Sequence, residues 1–110
     1  MPVIIDADPR DLETVRAILR RYVPDRAAWA FGSRVARNAK RFSDLDLAIL
    51  GDQCVPAATL ADLREAFDES DLAFKVDLVD WATTNEGFRR VIEQRHVAVH
   101  EARPAADGAR

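Results

Sequence analysis

The sequence predicts a small α/β or α+β domain, one sheet with helices packed on it. Three observations carry this. Segments with apolar residues at helical spacing alternate with short apolar or alternating runs rich in aromatic and β-branched residues. Their order is helix, strand, polar segment, strand, helix, strand, helix, strand, which is how layered α/β and α+β domains are built. The length, 110 residues, is that of one domain and is enough to bury a core without covalent staples.

After a short lead-in over residues 2–7, Asp8, Pro9 and Asp11 mark a helix start: a capping side chain, a proline at the first helical position, and acid in the first turn. Leu12, Val15, Ile18, Leu19 and Tyr22 carry that helix to about Tyr22, where Pro24 stops it. "AAWAF" (27–31) reads as a buried strand ended by Gly32, and "LDLAIL" (45–50) as a second strand ended by Gly51. Leu60, Leu63 and Phe67 place a helix over roughly 57–69, and "FKVDLVDW" (74–81) is a third strand by alternation. Thr83 and Glu86 have capping-box spacing ahead of a last helix carrying Phe88, Val91 and Ile92. "VAVH" (97–100) is a fourth strand. The domain is expected to span 1–101, and the tail 102–110, without periodic apolar residues, to be flexible or ordered by a partner.

Composition narrows the function classes. Hydrophobic residues make up 48% and charged residues 32%, a globular balance. The net charge is −3, which argues against broad nucleic-acid binding, since that needs a positive surface. A single cysteine, Cys54, excludes an internal disulfide and fits a reducing cytoplasm. The absence of a long apolar run supports neither secretion nor a membrane span.

The chemistry concentrates in "FGSRVARNAKRFSDLDLAIL" (31–50). Strand period is two, so Asp44 and Asp46 project from one face while Leu45, Leu47 and Ile49 turn to the other, into a core. Like charges that close are unfavourable unless a cation neutralises them or one is protonated. Paired carboxylates on a rigid strand suit Mg²⁺, a hard ion that keeps its other positions for water and substrate phosphates. The bland alternative is an exposed pair at a strand edge. Asp77, between Val76 and Leu78 in mid-strand, is either a third ligand or an ion-pair partner, whereas Asp80 faces the opposite side. Three aspartates on two adjacent strands would make a two-metal site for phosphoryl transfer. Upstream, Gly32-Ser33 follows a strand, where backbone N–H groups can cradle phosphate. Arg34, Arg37 and Arg41, with Lys40 nearby, could face polyphosphate or simply solvent.

Gly-Ser, ten residues, then "DLD" leading into an apolar strand resembles the signature of the polymerase-β-type nucleotidyltransferase superfamily. "SDLDLAI", "VDLVD" followed by a helix, and the length resemble its smallest members, the minimal nucleotidyltransferases, over roughly residues 10–101. The resemblance implies a small single-sheet nucleotidyltransferase fold of about four mixed strands with helices on the sheet. It implies that Gly32 and Ser33 contact the nucleotide's terminal phosphates, with Arg34 at a commonly basic position. It implies that Asp44, Asp46 and Asp77 bind two Mg²⁺ ions, Asp77 also assisting deprotonation of the acceptor. Members of this group pair with HEPN-domain proteins in toxin–antitoxin modules. The implied activity is therefore transfer of AMP from ATP to a hydroxyl, tyrosine in kind, of a HEPN ribonuclease toxin. One departure is Arg37, where many relatives carry glycine. The rival reading is a non-catalytic antitoxin that neutralises its partner by contact. A drug-modifying nucleotidyltransferase would have further C-terminal helices.

Outside this stretch, His96 and His100 lie four apart, with no helical metal-binding context. Cys54 has no neighbouring base to activate it. Trp29 and Trp81 flank strands and read as core, and Arg89, Arg90 and Arg95 as the solvated face of the last helix or a partner contact.

Overall fold

In a computed structural model, residues 5–36 and 43–102 are described. Helix α1 (Pro9–Tyr22) starts as its sequence dictates. Asp8 accepts the Arg10 N–H at 2.8 Å, Pro9 occupies the first turn, and Val15 and Leu19 are wholly buried. Strand β1 (Ala28–Phe31) runs through Gly32 into α2 (Ser33–Ala36), a single helical turn. Strand β2 (Leu45–Ile49), helix α3 (Ala57–Asp68), strand β3 (Val76–Asp80), helix α4 (Glu86–Gln94) and strand β4 (Val97–His100) follow.

The four strands form one mixed sheet in the order β3-β2-β1-β4. β1 pairs antiparallel with both β2 and β4, and β2 pairs parallel with β3 through the α3 crossover. The parallel pair continues one residue upstream, where Leu45 N–H donates to Lys75 O at 2.8 Å. One face carries the main core: Leu45, Leu47 and Ile49 are fully buried with Val15, Leu19 and Leu63 from α1 and α3. On the other face Phe31 and Ala48 pack under Ile92 of α4, flanked by Trp29, Val79 and Trp81. Alternation along β2 assigns the faces: odd-numbered residues go to the main core, even-numbered ones to the α4 side. Asp46, with Asp77 beside it, therefore emerges on the α4 side.

The fold class and the four strands agree with the sequence expectation, with ends trimmed by one or two residues. One expectation is corrected. Thr83 and Glu86 do not form a capping box: Asn85 caps α4, accepting the Phe88 N–H at 2.8 Å, and Glu86 pairs with Arg90 at 3.0 Å. The reason is Asp80. Its carboxylate accepts N–H groups from Ala82 (3.3 Å) and Val55 (2.9 Å), which winds Trp81–Thr83 into a 3₁₀ turn and delays the helix start. The tail from 103 and Arg37, Lys40 and Arg41 lie outside the described residues. No helix among the described residues is long and apolar enough to cross a membrane.

Candidate active site

The parallel register sets Asp46 directly beside Asp77, and the antiparallel register sets Phe31 opposite Asp46. Gly32 then follows Phe31 with φ +82°, in the left-handed region that favours glycine. A Cβ built on Gly32 would run into the Asp46 carboxylate, with Cγ at 3.1 Å and Oδ2 closer still. Glycine is thus required twice, by its backbone conformation and by the carboxylate packed on it. After this turn, the Val35 and Ala36 N–H groups donate to Gly32 O at 3.1 and 3.0 Å, which closes α2.

Asp46 is half-buried, while Asp44, just ahead of β2, and Asp77 are exposed. Burial, then the neighbouring charges of Asp77 and Asp44, push the Asp46 carboxyl up from 3.8 to about 6. Among the described residues no cation lies within ion-pair distance of any of the three. Nor, among the described residues, is any group of three His, Cys, Asp or Glu side chains drawn together as a finished cage. The donors fit a divalent hard cation in type and in electrostatic demand: they are all carboxylate oxygens, and their mutual repulsion is relieved by positive charge.

Asp46, Asp77, Gly32 and Ser33 line one cleft of about 620 Å³. Its remaining wall includes Phe31 and Val79 from the sheet and Phe88, Val91 and Arg95 from the α4 segment. Phe88 meets Phe31 edge-on, ring centroids 5.7 Å apart, and stays 39% exposed, with Val91 at 58%. A second hollow of about 740 Å³ adjoins Asp44, Phe74 and Lys75. It is larger, but it contains neither Gly32-Ser33 nor Asp46 and Asp77, so it lacks the paired chemistry of the first.

Of the residues the sequence singles out, four converge on the cleft: Gly32, Ser33, Asp46 and Asp77. Asp44 lines the second hollow instead and reaches the group through its charge, which raises the Asp46 carboxyl. Arg34 does not join them. It is buried, donating to Ser43 O (2.9 Å) and Asp6 O (2.7 Å), with its guanidinium 4.4 Å over the Phe74 ring. Its backbone carbonyl accepts the Asp6 N–H at 2.7 Å. Arg34 therefore ties the lead-in, α2 and the residue before Asp44 together, and it positions the aspartate segment. The histidines part company: His96 stacks on Trp29 at 3.8 Å, and His100 meets Arg26 O at 3.0 Å. Trp29 and Trp81 meet edge-on at 5.6 Å within the second core. Sequence reasoning missed the cleft role of the α4 segment. The signal was the i, i+3 spacing of Phe88 and Val91, which puts them on one helical face, with Arg95 following just past the helix end.

Comparison with known proteins agrees with this geometry. Residues 13–104 match the family described as Polymerase beta, Nucleotidyltransferase. A probable protein adenylyltransferase MntA of Haemophilus influenzae is 47% identical over 97 residues, covering 88% of this chain and 85% of the relative. Two solved structures share the fold. A toxin–antitoxin complex with AMP-PNP matches at TM-score 0.69 and 22% identity, over 84% of this chain and 74% of the other. A tri-AMPylated Shewanella oneidensis HEPN toxin in complex with MNT antitoxin matches at TM-score 0.63 and 19% identity, over 84% and 71%. A glycine turn packed against one of two register-paired strand carboxylates, and a family match over most of the length, lead to one conclusion: the chain belongs to the polymerase-β nucleotidyltransferase family.

Proposed function

We propose that this chain is a Mg²⁺-dependent protein adenylyltransferase of the cytoplasm. It transfers AMP from ATP to a hydroxyl, tyrosine in kind, of a HEPN-domain ribonuclease toxin and thereby acts as its antitoxin. The observation that carries the reading is the Gly32–Asp46–Asp77 arrangement, a glycine turn in contact with one of two register-paired carboxylates. The 47% identity to an MntA adenylyltransferase supports the acceptor class.

In this reading the Gly32-Ser33 turn seats the nucleotide phosphates, and the missing Cβ leaves Asp46 and the substrate on either side of bare backbone. Asp44, Asp46 and Asp77 would hold Mg²⁺, whose charge, when bound, offsets that of the carboxylates and of the phosphates. Asp77, exposed at the mouth of the cleft, accepts the proton of the incoming hydroxyl. The hydroxyl oxygen bonds to the α-phosphorus as the bond to the β-phosphate oxygen breaks, and pyrophosphate leaves. Positioning and charge neutralisation supply most of the acceleration in such reactions. Asp46, held on β2 between Leu45 and Leu47 of the core, cannot drift far, which keeps the site rigid without substrate.

The test incubates the chain with ATP labelled at the α-phosphate, Mg²⁺ and the protein encoded beside it. Label is expected on the partner, and none with Asp44→Ala/Asp46→Ala. An unlabelled partner whose toxicity is still relieved by the double variant would replace this reading with neutralisation by contact alone.

A further inference from the structure

A nucleoside triphosphate carries several negative charges into a cleft that already holds Asp46 and Asp77, more than bound Mg²⁺ alone neutralises, so a protein cation beside the phosphates strengthens its binding. The cation next to Gly32-Ser33 in sequence, Arg34, is engaged with the carbonyls of Asp6 and Ser43 and with the Phe74 ring. Among the described residues, the cation that lines the cleft is Arg95. It is exposed, and its guanidinium makes no hydrogen bond or ion pair with another described residue.

Its position is well determined. Arg95 caps α4, and its backbone N–H donates to Ile92 O at 3.2 Å. Ile92 is fully buried against Phe31 and Ala48, which seats the helix on the sheet. On the other side of Arg95, His96 is stacked on Trp29 at 3.8 Å, and β4 then opens at Val97 opposite Ala30. Ala30 is two residues before Gly32. The topology thus delivers the residue before His96 to the end of β1 where the Gly32-Ser33 turn begins. Both flanks of Arg95 are anchored while its guanidinium is unengaged, so its backbone is fixed beside the cleft and its charge is available to a ligand there.

Resting on the nucleotidyltransferase reading above, we propose that Arg95 grips the β- and γ-phosphates of the nucleoside triphosphate and makes the site select triphosphate over monophosphate. A guanidinium presents a planar fork that binds phosphate oxygens in pairs, which an ammonium cannot reproduce. The role differs from that of Arg34, which holds the fold together, and from those of the aspartates.

The test is calorimetric titration of the full chain, in Mg²⁺, with AMP-PNP and separately with AMP, for the wild type, Arg95→Ala and Arg95→Lys. Arg95→Ala is expected to weaken AMP-PNP about tenfold or more, as for loss of a charge-assisted hydrogen bond, and AMP by less than about twofold. Arg95→Lys should recover part of the loss. Equal weakening of both ligands, or AMP-PNP affinity within about twofold of wild type, overturns the assignment. So does a variant that keeps its nucleotide affinity but loses the partner protein, because the guanidinium would then belong to a protein contact. If the wild type binds neither nucleotide, the reading beneath the assignment fails with it. If it binds both and Arg95→Ala changes nothing, only the assignment fails.

Discussion

Asp46→Asn is expected to make the protein more stable at neutral pH while removing its transferase activity. The Asp46 carboxyl is raised from 3.8 to about 6 by burial first and then by the charges of Asp77 and Asp44. A raised acid keeps its proton longer in the folded state than in the unfolded one. Folding is therefore favoured at low pH, and that advantage is lost as pH climbs from about 3.8 through about 6. The full difference corresponds to about 3 kcal/mol at 1.36 kcal/mol per tenfold change. Asp46 is only half-buried, so solvent screens part of it, and about 1–2 kcal/mol is the expected gain for the asparagine variant at pH 7.5. For a domain of this size that raises Tm by about 5–10 °C. The assay is urea denaturation of both proteins in chelator at a series of pH values, followed by tryptophan fluorescence from Trp29 and Trp81. The two curves should converge as pH falls through about 6 towards 3.8. Equal or lower stability of Asp46→Asn at pH 7.5, or a gain that persists unchanged at pH 4, would refute the electrostatic argument. Added Mg²⁺ should then stabilise the wild type and leave the variant nearly unmoved, because the carboxylate that repels its neighbours is the one that recruits the ion.

Gly32→Ala should lose about 1–3 kcal/mol and nearly all transfer, since the residue sits at φ +82° and its new methyl displaces the Asp46 carboxylate; chemical denaturation and the labelled-ATP assay read the two effects. Arg34→Met should cost about 2–4 kcal/mol, because the carbonyls of Asp6 and Ser43 lose a charged donor in a buried setting; unchanged stability would remove its positioning role. Leu47→Ala, at a fully buried site on β2, should cost about 2–5 kcal/mol and lower Tm, with the nucleotide affinity of the remaining folded protein retained. Phe88→Ala removes an edge contact to Phe31 at a residue already 39% exposed, so stability should fall by no more than about 1 kcal/mol by the same denaturation assay.

Much of this molecule was legible in the order of its residues. Helix α1 announces itself through Asp8, Pro9 and a 3.6-residue apolar period, and β2 through Leu45, Leu47 and Ile49, because these are local rules of backbone and solvent. Period two also put Asp44 and Asp46 on one side of the strand without any knowledge of the neighbours. The start of α4 was not legible: Thr83 and Asn85 are both plausible caps, and the choice fell to Asp80, whose carboxylate reaches Val55 at a separation of 25 residues. Arg34 and Arg95 show the same limit at the site. Each is an arginine in a polar stretch, and composition treats them alike. Chain crossing buries one on the carbonyls of Asp6 and Ser43 and leaves the other on the cleft that Gly32, Asp46 and Asp77 share. Local chemistry therefore named the carboxylates and the glycine turn. Only the sheet order β3-β2-β1-β4, a product of contacts between distant segments, set Asp77 beside Asp46, the Gly32 turn against Asp46, and the end of α4 beside that turn.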